Sequence, residues 1–98
     1  MTTLPLDSYI VDTLMAELVA QDRRPSAFLV YLLLWRCSIG AGEDDVELPP
    51  ADIATATGLS TRAVEEALRS LQRRGLLSIR REGTTAVPVY TVRRPWMR

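Results

Sequence analysis

The stretch that most constrains the fold is residues 48–77, LPPADIATATGLSTRAVEEALRSLQRRGLL. It reads as two short helices joined by a tight turn at Gly58-Leu59-Ser60. Pro49 and Pro50 suit a helix start, where a missing N–H costs nothing. Gly58 stands where a left-handed residue closes the first helix. Ser60 is placed to cap the second, Thr61 to Arg74, and Gly75 ends it. Ile53 and Ala54 are expected to face inward, with Leu59 filling the angle between the helices. Val64, Ala67, Leu68 and Leu71 recur at helical spacing and should form the second helix's inner face. Caps, turn and inner face agree, so the pair is expected to be a helix-turn-helix.

The remaining chain is expected to be a scaffold for that pair. Ninety-eight residues bound one domain, 1–98, with one modest core. Leu4 to Gln21 reads as a first helix with Asp7 as its N-cap. Ile10, Val11, Leu14, Met15, Leu18 and Val19 form one wide apolar stripe on it, which must pack on the core or on a second subunit. Pro25 interrupts the pattern, and Ser26 is expected to cap a helix from Ala27 to about Ile39. Its run AFLVYLLLW is apolar all round, so this helix should be the buried centre, with Tyr31 and Trp35 in the core. Cys37 is expected to be a small packing residue. A flexible acidic loop, Gly40 to Asp45, and a very short strand at Val46-Glu47-Leu48 follow. Beyond Gly75 the pattern is a β-hairpin: strands Leu76–Arg81 and Ala86–Val92 with a turn at Glu82-Gly83-Thr84-Thr85. Pro88 lacks an N–H and should sit on an edge strand or at a position turned outward. In the basic tail, Trp96 is expected to fold back onto the domain or a partner.

Composition excludes several functions. There is no histidine and one cysteine, which argues against an internal disulfide, a metal site and imidazole catalysis. No carboxylate is matched with a nucleophile or a phosphate loop, so no enzyme and no cofactor are expected. No small-molecule ligand is evident. No apolar run approaches the ~20 residues of a membrane span, and MTTLPLDSY lacks the features of a signal peptide. A reducing cytoplasm is the expected setting.

The net charge of zero hides a division. Residues 1–57 carry nine acids against three arginines, and residues 58–98 carry nine arginines against three acids, balances of −6 and +6. Every basic residue is arginine, the better bidentate partner for phosphate and guanine. Two readings follow: a basic half that meets nucleic acid, or two halves that attract each other within or between chains.

Over residues 46–92 the order of helices and hairpin resembles the winged-helix domains of bacterial transcription regulators of the GntR and MarR type. The resemblance rests on Leu48-Pro49, Ile53-Ala54, Gly58-Leu59-Ser60, Val64, Ala67-Leu68, Leu71 and Gly75-Leu76. It implies an α+β, mainly helical fold. This would be a winged helix-turn-helix with a three-helix core, the turn motif at 48–75, a β-hairpin wing at 76–92 and an additional N-terminal helix at 4–21. Thr61 and Glu65 depart from the GntR-like pattern, which commonly has arginine there.

The function implied is double-stranded DNA binding in transcription regulation. The second helix of the motif would enter the major groove with its N-terminal residues nearest the bases. Arg62 would read guanine, Thr61 a thymine methyl or a phosphate, and Glu65 cytosine N4, with Arg69 beside them. Ser60 and the helix start offer donors to phosphate. Arg73 and Arg74, and from the wing Arg80 and Arg81, would follow the backbone. A homodimer paired through the N-terminal helix would present two recognition helices. The alternative is a winged helix used as a protein-interaction or dimerisation adaptor without DNA binding. On that reading Arg62, Glu65, Glu66 and Arg69 are a solvated face held by intrahelical pairs.

Overall fold

A computed structural model describes residues 2–83 and 86–97. Thr84 and Thr85 of the expected hairpin turn, and Arg98 of the tail, lie outside the described residues. The chain forms an α+β fold. An N-terminal helical rod is followed by α1 (Pro25–Cys37), β1 (Val46–Glu47), α2 (Pro50–Thr57), α3 (Thr61–Arg73), β2 (Leu77–Arg80) and β3 (Val89–Val92). The three strands form one antiparallel sheet in the order β1-β3-β2. α1 is the hub, packing on α2, α3, β3 and the rod.

The rod differs from the expected helix in three ways. It begins at Ser8, not Leu4. The segment before it runs across the end of α1, where the Trp35 indole N–H donates to the Pro5 carbonyl at 3.0 Å. There Leu4 Cδ1 lies 2.6 Å from where a Cβ on Gly40 would stand, so any larger residue at Gly40 would displace the Leu4 side chain. Asp7 is not a side-chain cap: its carboxylate accepts from the Trp96 indole at 3.1 Å and lies 3.6 Å from Arg94.

Much of the rod is π-helical, at Ile10–Leu14 and Glu17–Gln21, with i→i+5 bonds such as Asp22 N–H to Glu17 O at 2.9 Å. The expected single stripe splits. Ile10, Leu14 and Leu18 are buried at 0–1% exposure, while Val11, Met15 and Val19 stand 50%, 37% and 37% exposed. Each fully buried aliphatic stabilises by roughly 1.5–3 kcal/mol, and these three are the rod's main apolar anchor on the core. Arg23, with φ 54°, then turns the chain into α1.

In α1 it is Pro25 that occupies the first helical turn, after Arg24 as N-cap, and Ser26 is not the cap. A proline is tolerated there because its missing N–H would have had no helical partner. The helix stops at Cys37, and Ile39–Ala41 forms a 3-10 turn. Tyr31 and Trp35 are buried, and the Tyr31 hydroxyl donates to the Arg93 carbonyl at 2.9 Å. Cys37 is half-buried and free.

The turn motif forms as its residues predict. Gly58 has φ 77°, and the Ser60 hydroxyl accepts from Ala63 N–H at 3.1 Å. Val64, Ala67, Leu68 and Leu71 are buried, and Gly75 has φ 72°. The hairpin strands are shorter than expected. Pro88 departs from expectation as well: β3 is the central strand, not an edge. Pro88 avoids the ladder by preceding β3, and its carbonyl accepts from Leu48 N–H at 3.3 Å. Trp96 folds back and stacks on Tyr9, with ring centroids 4.6 Å apart.

Candidate nucleic-acid interface

α3 turns one face inward and leaves Thr61, Arg62, Glu65, Arg69 and Arg73 exposed. Its N-terminal end is defined by the Ser60 cap, which satisfies one of the donors a helix start leaves without an intrahelical partner. Ser60's side chain is thus engaged within the helix, while Thr61 and Arg62 stand free of the core. Arg62 is 88% exposed and reaches back along α3 to Glu66 at 3.3 Å.

The hairpin parts the two arginines that sequence reasoning grouped. Successive strand residues point to opposite faces. Leu77, Ile79, Tyr90 and Val92 lie on the helix side of the sheet, and Tyr90 is paired with Ile79 and Val46. Arg81 lies on that side too, beside α3. It shares a hollow of about 220 Å³ with Glu65, Leu68, Arg69, Ile79 and Pro50 at the start of α2. Arg80 lies on the other side, in a hollow of about 290 Å³ with Glu47, Glu82 and Val89, and comes within 3.9 Å of Asp45. Three carboxylates surround it, so Arg80 is poorly placed to join Arg69 and Arg81.

The opposed charges of the two halves meet inside the monomer. Arg74 forks onto Asp22, with Nη2 at 2.7 Å from Oδ1, and its Nη1 lies 3.1 Å from Glu17. Arg94 pairs with Asp7, Arg80 with Asp45, and Arg24 with Glu66 at 3.1 Å. Each of these joins a residue before Gly58 to one after it. The hydrogen bond from Arg74 holds the Asp22 carboxyl below the ordinary aspartate range, against a smaller opposing effect of burial. Glu66 is lowered likewise, first by its bond from Arg62 and then by the nearby Arg24 charge.

Among the described residues Arg69, Arg73 and Arg81 make no ion pair. They are the cations on α3 and beside it that remain open to an external anion. Glu65, Arg69 and Arg81 converge on the hollow between α3 and the hairpin. Arg73 lies on the opposite flank of α3, beside Asp22, Arg24, Ser70 and Arg74. Arg24 and Ser70 were not among the expected site residues. Arg24 sits 42 positions from its partner Glu66, and no local spacing signals that meeting. A larger hollow, about 480 Å³, lies at the C-terminal tail around Gly75, Thr91 and Met97, away from these residues.

Among the described residues no helix is long and apolar enough to cross a membrane. Comparison with known protein families, curated proteins and solved structures finds no match, so the geometry of α3 and the hairpin carries the functional argument.

Proposed function

We propose that the chain is a winged-helix DNA-binding module, a small transcriptional regulator of the cytoplasm. In this reading β2, β3 and the turn between them are the wing, and α3 is the recognition helix in the major groove. Two features support the architecture: the order α1-β1-α2-α3-β2-β3, and a sheet in which the hairpin flanks β1 in the order β1-β3-β2. The observation that carries the function is the convergence of Arg69 and Arg81, neither paired with a carboxylate among the described residues, from helix and hairpin onto one hollow. Two guanidinium groups on a shared rim suit a phosphate backbone passing between recognition helix and wing. Arg62, at the exposed N-terminal end of α3, is the residue for guanine recognition. The test is duplex binding at low salt with a random-sequence library. Arg62→Ala should weaken a preferred site by ~1–3 kcal/mol, and Arg81→Ala should weaken all sequences alike. No duplex binding at low salt would overturn the reading.

A second reading is favoured by one observation. The exposed stripe Val11, Met15 and Val19 gives the rod an apolar outer face, as an adaptor or a dimer would need. Solution mass separates the two readings from a different side: loss of self-association in Met15→Asp with duplex binding absent in both proteins supports the adaptor.

A further inference from the structure

α3 has a second flank, opposite the hairpin, where the end of the rod, the start of α1 and the last turns of α3 meet. A hollow of about 370 Å³ opens there, lined by Asp22, Arg24, Ser70, Arg73 and Arg74. That volume is at the lower end of the range for ligand sites. We propose that this hollow binds a phosphate group, held chiefly by Arg73 and Ser70 with Arg24 at its edge.

Three observations point the same way. Arg73 brings a guanidinium with no carboxylate partner among the described residues. Ser70 is 6% exposed and lines the hollow, yet its hydroxyl makes no hydrogen bond among the described residues. Its Oγ is not enclosed, unlike the orphaned hydroxyl of Tyr90, so it opens onto the hollow and is free to donate to a ligand oxygen. The third is the local charge. Asp22 is neutralised by the fork from Arg74, and Glu66 is shared between Arg24 and Arg62. The lining itself sets three arginines, Arg24, Arg73 and Arg74, against one carboxylate, Asp22, while Glu17 and Glu66 pair with Arg74 and Arg24 from outside it. The end of α3 itself favours cations, through its dipole. The site therefore depends on side chains approaching from the flank and not on the helix terminus. Arg73's planar fork and the Ser70 hydroxyl supply the charge-assisted donors that a tetrahedral oxyanion accepts.

The inference does not need α3 to enter a groove, since it uses the opposite flank from Arg81. The phosphate could belong to a DNA backbone or to a free phosphate-bearing ligand, and one experiment separates them. Inorganic phosphate is titrated into the full chain by calorimetry at constant ionic strength, with chloride replacing phosphate in the control. One saturable site is expected. Arg73→Gln should lower the affinity at least tenfold and Ser70→Ala several-fold, with folding of each variant checked by circular dichroism. Arg36→Gln, at an arginine of α1 outside the hollow that makes no ion pair among the described residues, should change nothing. Saturable binding that survives Arg73→Gln, or no saturable binding up to about 10 mM phosphate, overturns the proposal; an affinity weaker than that is below about 3 kcal/mol. In a second arm, duplex DNA is added at saturating phosphate. Competition, with both ligands weakened by Arg73→Gln, assigns the site to the backbone. Simultaneous binding assigns it to a separate phosphate-bearing ligand. A chain that takes phosphate and never binds duplex keeps this site and loses the DNA reading.

Discussion

Salt dependence of duplex binding offers a sharp test of the proposal that the hairpin and α3 share a DNA backbone. Each phosphate neutralised contributes about −0.9 to the slope of log affinity against log salt. If Arg69, Arg73 and Arg81 are the contacts, the slope per chain is about −2.7, and affinity falls about 40-fold between 50 and 200 mM salt. Counting Arg80 as well gives a slope of about −3.6 and a fall of about 150-fold. The structure favours the smaller number, because Arg80 turns to the far face of the sheet and comes within 3.9 Å of Asp45. The perturbation is therefore a pair of neighbours, Arg80→Ala and Arg81→Ala. Arg81→Ala should reduce the slope to about −1.8, a fall of only about 10-fold over the same range. Arg80→Ala should leave the wild-type slope in place. Fluorescence anisotropy with a labelled random duplex, at four or more salt concentrations, reads both. A slope that responds to Arg80→Ala and not to Arg81→Ala would refute the assignment of faces.

Other expectations concern the scaffold. Leu14→Ala, at a position 1% exposed, should cost about 2–5 kcal/mol in urea unfolding, whereas Met15→Ala, 37% exposed, should cost well under half of that. Equal costs would mean that the rod does not present two distinct faces. Gly58→Ala should destabilise by about 1–2 kcal/mol through its φ of 77° alone, since a Cβ there would meet nothing within 4 Å. Arg74→Met should lose about 1 kcal/mol at neutral pH, the upper end for a partly exposed pair, because it removes the fork on Asp22. Folding depresses the Asp22 pKa, so this stability is present above the unfolded carboxyl's pKa and fades as pH falls through the folded one. Wild type and variant should therefore converge below the ordinary aspartate range, and a gap that persists in acid would count against the ion pair as its source. Finally, the Tyr90 hydroxyl is buried with no partner among the described residues. Tyr90→Phe should be neutral or stabilising by up to about 1 kcal/mol, measured in the same urea titration.

The turn motif was legible because its signals are local. Gly58, Ser60, Val64 and Leu68 act within a few residues of themselves, and a helix cap or an inner face reads the same before and after packing. The rod was half legible. Its apolar residues announce a helix, but which of them are covered, Leu14 and not Met15, depends on where the rod packs against α1. Pro88 departs from expectation for a related reason: which strand is central depends on β1, whose Val46 pairs with Tyr90 and Glu47 with Val89, and no local signal marks that pairing.

For the candidate site, sequence alone determined its inventory: an arginine-rich second half, a capped helix carrying Thr61, Arg62, Glu65, Arg69 and Arg73, and a hairpin carrying Arg80 and Arg81. Only the tertiary structure decided which of those charges are open. Ion pairing is a matter of a few ångströms between side chains that the chain order holds far apart, as with Arg74 and Asp22, 52 positions away. A charge total cannot show that Arg74, Arg80 and Arg94 meet carboxylates from the first half while Arg69, Arg73 and Arg81 meet none among the described residues. The pleat of β2 likewise separates two adjacent arginines that the sequence presents as one patch. What a sequence leaves out, here as at Ser70, is which polar atoms remain without a partner once the chain has closed on itself.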